Sequence, residues 1–255
     1  MGVVSFPPMK QTILAAALVS LLFLACKDKV RSQDSQPVAE VKPAATPGKT
    51  GDIIYDRANP KARALLTDPF FWSRDELTSP FGCAGGGETA KFYVKWRDTS
   101  KTANAVTLLE HSYTASLFPP FNWHETDARK IRLYLTSLMH SKVPYIQHLR
   151  ESDEKLVKEQ GGEKLSKAAY EAEVQKYMDV DGLSFLQAQD NGFVTICFMQ
   201  FIMDGKVDAD LQALTIAAVK RQMLPICLSK FNDEYKVTRK MLLQKILDAV
   251  NKMNL

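Results

Sequence analysis

The last 65 residues carry the clearest pattern of apolar and polar positions in the chain. From Phe193 to Met203, nine of eleven residues are apolar. A helix that is apolar on every face is typical of a protein core. The pattern predicts a central core helix that is capped at Asp190 and ends at Asp204-Gly205, where glycine readily adopts the left-handed conformation of a helix end.

Two further helices follow this run. Asp208 is a suitable N-cap for a helix that ends near Pro225, and its repeating positions are Leu211, Leu214, Ala218 and Arg221. The last helix places its apolar residues on one face and its lysines mostly away from it; the apolar residues are Leu243, Ile246, Leu247, Val250 and Met253.

The first half of the body has shorter patterns. A helical turn at 62–67 ends before Pro69, and the spacing of Phe92, Tyr93 and Trp96 favours a helix, with a strand as the alternative. Helices are predicted at 103–113 and 127–139, and the charged residues 151–180 indicate a solvated connection. We therefore expect one mostly α domain over residues 51–255, with irregular or short-strand structure between 50 and 125 and α+β as the alternative class.

The N-terminal residues have the pattern of a targeting signal. Ile13–Ala25 is an uncharged apolar run between Lys10 and Lys27. As a helix its 13 residues would span about 20 Å, which is short of a bilayer core of about 30 Å. The run predicts a cleaved signal peptide over residues 1–25, whether translation starts at Met1 or Met9.

The end of the run, Phe23-Leu24-Ala25 before Cys26, resembles a bacterial lipobox. This resemblance implies cleavage before Cys26 and acylation of its thiol; ordinary cleavage after Ala25 and a buried cysteine are the alternatives. Residues 26–50 contain few large apolar side chains and predict an extended tether. We expect a lipid-anchored protein of the bacterial cell envelope, on the periplasmic face or at the cell surface.

Charge and composition exclude some classes of function. The 255 residues are 45% hydrophobic and 24% charged, as in ordinary globular proteins. Residues 51–255 hold 27 basic and 26 acidic residues. A nearly neutral body without a basic stripe argues against nucleic-acid binding, which depends on clustered cations.

The remaining cysteines are Cys83, Cys197 and Cys227. Cys197 and Cys227 lie in apolar surroundings and are expected to be small buried residues. A disulfide between them is an alternative that spacing alone leaves open. Cys83 paired with a histidine is a weak nucleophile candidate, and its position in a glycine-rich turn explains it equally well.

Two partial motifs do not support a cofactor. Gly82–Thr89 has the outline of a phosphate-binding loop, but Glu88 stands where a lysine must meet the phosphates. We therefore interpret it as a turn that needs a positive φ and expect no nucleotide. His124-Glu125 begins a zinc-protease motif, yet Ala128 replaces the second histidine, so we expect no metal; His111, His140 and His148 add no ligand spacing.

Acidic and aromatic residues are concentrated between residues 68 and 88. The carboxylates could serve as acid and base in a hydrolase, or the aromatics could anchor a protein partner. The preferred interpretation places the aromatics in the core and the carboxylates at helix caps. The candidates for partner contact are Trp72, Asp75, Glu76, Glu88 and Trp123.

Several aromatic and polar segments are spread over both halves of the body; they are Asp68–Trp72, Ser79–Gly82, Trp96-Arg97, Gln200–Asp208 and Arg221–Pro225. Together they resemble the YfeS-like family of uncharacterised bacterial proteins. The resemblance covers about half of the body and implies one α-rich domain built from both ends of the sequence. It implies no activity, cofactor or catalytic residue.

The sequence thus predicts a non-catalytic, lipid-anchored protein that binds another protein. An immunity-like or inhibitory role against an envelope-acting toxin is one form of this hypothesis. An envelope hydrolase that uses segment 68–88 is the alternative, and no cofactor is expected for either.

Overall fold

The computed structural model describes Tyr55 and residues 57–115, 121–140 and 182–254. In these ranges the chain forms helices and no strand, which confirms the mostly α prediction. A 3-10 helix lies at Pro69–Trp72. The α-helices are α1 (Pro60–Leu65), α2 (Gly86–Thr99), α3 (Ala105–Ala115), α4 (Ala128–His140), α5 (Gly182–Asp204), α6 (Ala209–Gln222), α7 (Pro225–Leu228) and α8 (Asp233–Lys252).

Helix α5 is the centre of the domain. It packs against α1, α2, α3, α4 and α6, and every residue from Gly192 to Ile202 is buried. The predicted core helix is therefore confirmed, but its predicted start is wrong. The helix begins at Gly182, and Asp190 lies in its third turn as a buried residue whose charge is paired with Arg221 on α6.

The predicted helix ends around the next loop are confirmed. Gly205 adopts a left-handed conformation with φ of 70° directly after α5. Asp208 is the N-cap residue of α6, but its carboxylate does not cap that helix. It accepts hydrogen bonds from Gln200 Nε2 (2.9 Å) and from the backbone N–H of Ala105 (3.3 Å), so it ties α5 and α3 together.

Helix α8 buries the face that its apolar spacing predicts. Leu243, Ile246 and Val250 are at most 1% exposed. The helix packs on α6, and Asn232 caps its start by accepting from the backbone N–H of Tyr235. Lys245 at the edge of this face lies beside Asp68, which connects α8 to the 3-10 helix.

The segment around Phe92, Tyr93 and Trp96 is helical, so the strand alternative is wrong. Phe92 and Tyr93 are buried in the main core, and Trp96 packs at its edge. Helix α4 closes a smaller apolar cluster with the start of α5 and with Cys227 on α7; its buried members are Ile131, Leu135, Leu186 and Cys227.

Within the described ranges, no helix combines the length and apolar character needed to cross a bilayer. The predicted signal peptide, Cys26, the tether and the connection at 151–180 all lie outside the described residues.

Candidate functional site

The aromatic residues of segment 68–88 belong to the core. Phe70, Phe71, Trp72 and Phe81 are all at most 7% exposed. Phe71 stacks on Phe198 of α5 with ring centres 5.6 Å apart. Trp72 Nε1 donates a hydrogen bond to the carbonyl oxygen of Leu66 at 2.7 Å. The preferred core interpretation is confirmed for Phe71, Trp72 and Phe81, and Phe70 is buried with them.

The two tryptophans proposed for partner contact are thus used inside the domain. Trp72 has no exposed ring face to offer. Trp123 is half-buried, packs against Tyr113 and Phe193, and donates from Nε1 to Gln189 Oε1 at 2.8 Å. Burial leaves Trp72 little surface for a partner, whereas Trp123 keeps part of its side chain exposed. Partner contact at these residues stays a prediction.

The carboxylates of the same segment have mainly local contacts. Asp68 accepts from the backbone N–H of Phe70 at 2.8 Å and pairs with Lys245 at 2.5 Å. Glu76 accepts from the backbone N–H of Thr78, and Glu88 pairs with Lys91 one turn along α2. Asp75 is exposed. The hydrolase interpretation stays a prediction.

The glycine-rich turn has a structural role. Gly85 has φ of 77° and precedes α2, as predicted for a turn that needs a positive φ. Gly82 lies against the backbone of Glu76, where a Cβ would overlap the carbonyl oxygen. The turn therefore requires glycine for close packing at one position and for backbone conformation at the other.

The cysteines of the body are buried thiols. Cys197 lies 3.8 Å from the sulfur of Met253, and Cys227 belongs to the smaller apolar cluster. Both are unbridged, so the disulfide that the sequence left open is not formed. Burial raises the pKa of both thiols to about 12, which keeps them protonated. Cys83 is also buried, with its sulfur 3.5 Å from the carbonyl oxygen of Pro80.

The described histidines do not converge on a site. His111 and His124 are exposed on the surface. Among residues 57–115, 121–140 and 182–254, no group of three or more His, Cys, Asp or Glu side chains could hold a metal ion. His148 lies outside the described residues.

A buried ion pair joins α5 to α6. Arg221 donates to Asp190 from Nη2 (2.6 Å) and Nε (3.1 Å), and the two side chains are 0% and 1% exposed. Arg221 Nη1 also donates to the carbonyl oxygens of Trp123 and Glu125. Burial raises the pKa of Asp190 to about 6, against the lowering effect of the Arg221 charge and hydrogen bonds.

A second buried arginine extends this network. Arg239 is 5% exposed and donates to Thr78 Oγ1 at 3.1 Å and to Gln222 Oε1 at 2.6 Å. Its guanidinium lies 4.6 Å from the ring centre of Phe231, and burial lowers its pKa. These contacts connect α6 and α8 to the segment before the glycine-rich turn, so we assign the network to stability.

A cavity of about 500 Å³ lies between two loops. One loop joins α2 to α3, and the other joins α5 to α6. We call it the Arg97 cavity, and its lining consists of Arg97, Lys101, Thr102, Ala103, Asn104, Asp204, Lys206 and Asp208. With Ala103 as the single apolar member, the lining suits a polar ligand.

Arg97 holds the two loops in place. It forms an ion pair with Asp204 at the end of α5, and its Nη1 donates to the carbonyl oxygen of Ala103 at 2.9 Å. Both side chains are largely buried, with 12% and 22% exposure. The inner wall of the cavity is therefore rigid, and its arginine and carboxylates are already engaged.

Lys101 and Lys206 differ from the engaged side chains of the inner wall. Both are exposed, and neither has an ion-pair or hydrogen-bond partner in the described part of the chain. Each belongs to one of the two tied loops. The cavity therefore has two cations without partners at its rim, and its interior holds one cation, Arg97, and two carboxylates, Asp204 and Asp208.

The sequence did not indicate this cavity as a candidate site. Trp96-Arg97 and Gln200–Asp208 both carry the family resemblance, and the structure brings these two segments together across the cavity. The caps at Asp204-Gly205 and Asp208 mark one loop in the sequence. The opposing arginine, about a hundred residues away, could be matched to that loop only by the fold.

Comparisons of the chain with protein-family models, curated proteins and solved structures found no match. The YfeS-like resemblance therefore remains a prediction from the sequence.

Proposed function

We propose that this chain is a non-catalytic binding protein of the bacterial cell envelope, anchored by lipid on Cys26 and binding a protein partner through its helical body. The observation that carries the proposal is the apolar run Ile13–Ala25, which is bounded by lysines and ends at Cys26. An inhibitory, immunity-like role is the special case in which the partner is an envelope-acting toxin.

A lipid anchor is physically compatible with a separate helical domain. Acyl chains contribute about 0.8 kcal/mol per buried methylene group, so several chains on one cysteine hold a soluble domain at a bilayer. The tether, residues 26–50, spaces the domain from the membrane. The Arg97 cavity gives the body a polar site lined by side chains of both charges, which a partner could contact.

The anchor is tested by replacing the modified residue. In a bacterial host that processes lipoproteins, we expect the unchanged protein to incorporate a palmitate probe and to stay with membranes after a high-salt wash. Cys26→Ser removes the only thiol that the lipobox would acylate. We expect this variant to lose the label completely and to leave the membrane fraction.

Cys227→Ala is the matched control, because it removes a buried cysteine from the body and should keep label and location unchanged. Membrane retention of Cys26→Ser equal to that of the unchanged protein would refute the anchor. For the binding role, cross-linking in intact envelopes should return one stoichiometric partner, and repeated recovery of the protein alone would refute it.

A further inference from the structure

Helix α1 and the residues beside it carry cations and no carboxylate. Residues 57–67 contain Arg57, Lys61 and Arg63 and no acidic residue, and all three side chains are exposed. None of these side chains has an ion-pair or hydrogen-bond partner among the described residues. We call the outer surface that they form the α1 face.

The carboxylates near this face in the fold or in the sequence leave it positive. Asp190 and Asp204, the carboxylates of α5 on which α1 packs, are each paired with an arginine of another helix. Asp68, which follows the segment, is paired with Lys245. Asp56, which precedes it, lies outside the described residues. Even with Asp56 counted as a full negative charge, the segment keeps an excess of positive charge.

The α1 face also lies where the chain from the proposed anchor enters the domain. Tyr55 packs edge-on against Trp72 with ring centres 4.8 Å apart, and the backbone N–H of Asn59 donates to the carbonyl oxygen of Ile202 at 2.7 Å. Only 28 residues lie between Cys26 and Tyr55. A flexible chain of that length has a root-mean-square end-to-end distance of about 30 Å. An anchor at Cys26 therefore keeps this side of the domain close to the bilayer.

The shape of the α1 face suits a flat surface. Ala62 is fully buried, which fixes the inner side of the helix. Because successive residues of a helix are turned by about 100°, Lys61 and Arg63 flank the exposed Ala64 on the outer side. A small uncharged residue between two cations lets both cations reach the same plane.

We propose that the α1 face lies on the anionic lipid headgroups of the membrane that holds the anchor, through Arg57, Lys61 and Arg63. Each lysine or arginine near an anionic bilayer strengthens attachment by about fivefold. Basic residues and an acyl chain act together in this way on peripheral membrane proteins. That a bilayer lies beside this face rests on the proposed lipid anchor.

Helix α4 provides a comparison surface. It exposes Arg129, Lys130 and Arg132, but Lys130 is paired with Glu125 at 3.0 Å and Asp127 directly precedes the helix. Helix α4 packs on the first turns of α5, whereas α1 packs near its end. The two surfaces therefore lie at opposite ends of α5, and only the α1 face adjoins the tether.

The test uses the acylated mature chain, purified in detergent and incorporated into vesicles through its anchor. A spin label is attached to the cysteine introduced by Ala64→Cys, because the body cysteines are buried and stay unlabelled. A nickel chelate on the lipid headgroups reports contact. At low salt, we expect the collision rate to be at least about fivefold higher with phosphatidylglycerol in the vesicles than with phosphatidylcholine alone. The Leu133→Cys label on α4 should show no such difference.

Two triple variants remove two arginines and one lysine from either surface; they are Arg57→Gln/Lys61→Gln/Arg63→Gln on α1 and Arg129→Gln/Lys130→Gln/Arg132→Gln on α4. The α1 variant should abolish the increase at position 64, and the α4 variant should keep it. Both should keep the melting temperature, because all six side chains are exposed and the Lys130–Glu125 pair lies at the surface. Equal loss in both variants would overturn the proposal, since net charge alone would explain the response.

The remaining outcomes separate the α1 face from the anchor. A label at position 64 that responds equally to both kinds of vesicle would overturn the proposal, and cross-linking of residue 64 to an envelope protein would then assign the face to the partner. A Cys26 without acyl chains would refute the anchor. Sedimentation of the unacylated chain with the same vesicles would then decide. Binding to phosphatidylglycerol that is lost only in the α1 variant supports the α1 face, and equal binding by all variants overturns it.

Discussion

Replacing Arg221 by methionine is expected to lower the free energy of unfolding by about 3–5 kcal/mol, the usual cost of removing one partner from a buried ion pair. Methionine nearly fills the space of the arginine stem, so the loss is mainly electrostatic. Asp190 would remain fully buried without its counterion, and the carbonyl oxygens of Trp123 and Glu125 would lose their donor. Urea denaturation at pH 7.5 measures the change.

Two further variants separate the ion pair from general damage. Lys220→Met changes the neighbouring residue on α6 in the same way, but at an exposed position, and should shift the free energy of unfolding by less than about 0.5 kcal/mol. The double variant Asp190→Leu/Arg221→Met removes both charges and should be clearly more stable than Arg221→Met alone. A double variant that is less stable by the full sum of the effects of Asp190→Leu and Arg221→Met, each measured alone, would contradict the pairing.

Replacing Gly82 by alanine should lower the free energy of unfolding by about 3 kcal/mol, near the upper end for overpacking. The new Cβ would overlap the carbonyl oxygen of Glu76 and lie 2.8 Å from Ser79 Oγ. That hydroxyl accepts from Gly82 N–H and donates to the carbonyl oxygen of Ser73, so the whole turn would have to shift. Thermal melting with a van't Hoff analysis measures the loss.

Gly87, at the second position of α2, is the matched control. A Cβ there would meet only the carbonyl oxygen of Phe81, at 3.8 Å, which is ordinary contact. Because Gly87 lies inside α2, alanine should be neutral or stabilise the helix by up to about 1 kcal/mol. Equal destabilisation by the two variants would show that close approach at Gly82 is not the reason for the glycine.

The helical periodicity of the sequence was sufficient to predict the C-terminal end of α5, the start of α6 and the buried face of α8. These features depend on local spacing and on cap residues, which a single sequence displays directly. Irregular or short-strand structure was expected between residues 50 and 125, but the described part of that range forms four helical segments and no strand. Prolines and glycines interrupt the helices only between residues 66 and 85.

The start of α5 could not be predicted in the same way. Asp190 is a good N-cap type, and polar residues before it, including Gln187 and Gln189, break the apolar pattern. Its acceptance inside the helix depends on Arg221, which is 31 residues away in sequence. A charge that is compensated across the fold has no local signature.

The candidate site could likewise not be predicted from the local sequence. Partner contact was assigned to tryptophans because aromatic residues dominate known interface hot spots, but Trp72 and Trp123 complete the core. The free cations of the Arg97 cavity are ordinary lysines in two short loops. That the two loops face each other across one cavity is a property of the tertiary structure.

The central claim is that the mature chain begins at an acylated Cys26, and mass spectrometry of the N-terminal peptide tests it most directly. The protein is purified from membranes of a bacterial host with detergent, digested and analysed without prior removal of lipids. We expect a first peptide that starts at Cys26 and carries the added mass of acyl chains. An unacylated chain that retains residues 1–25, or an unmodified peptide that begins at Cys26, would contradict the account.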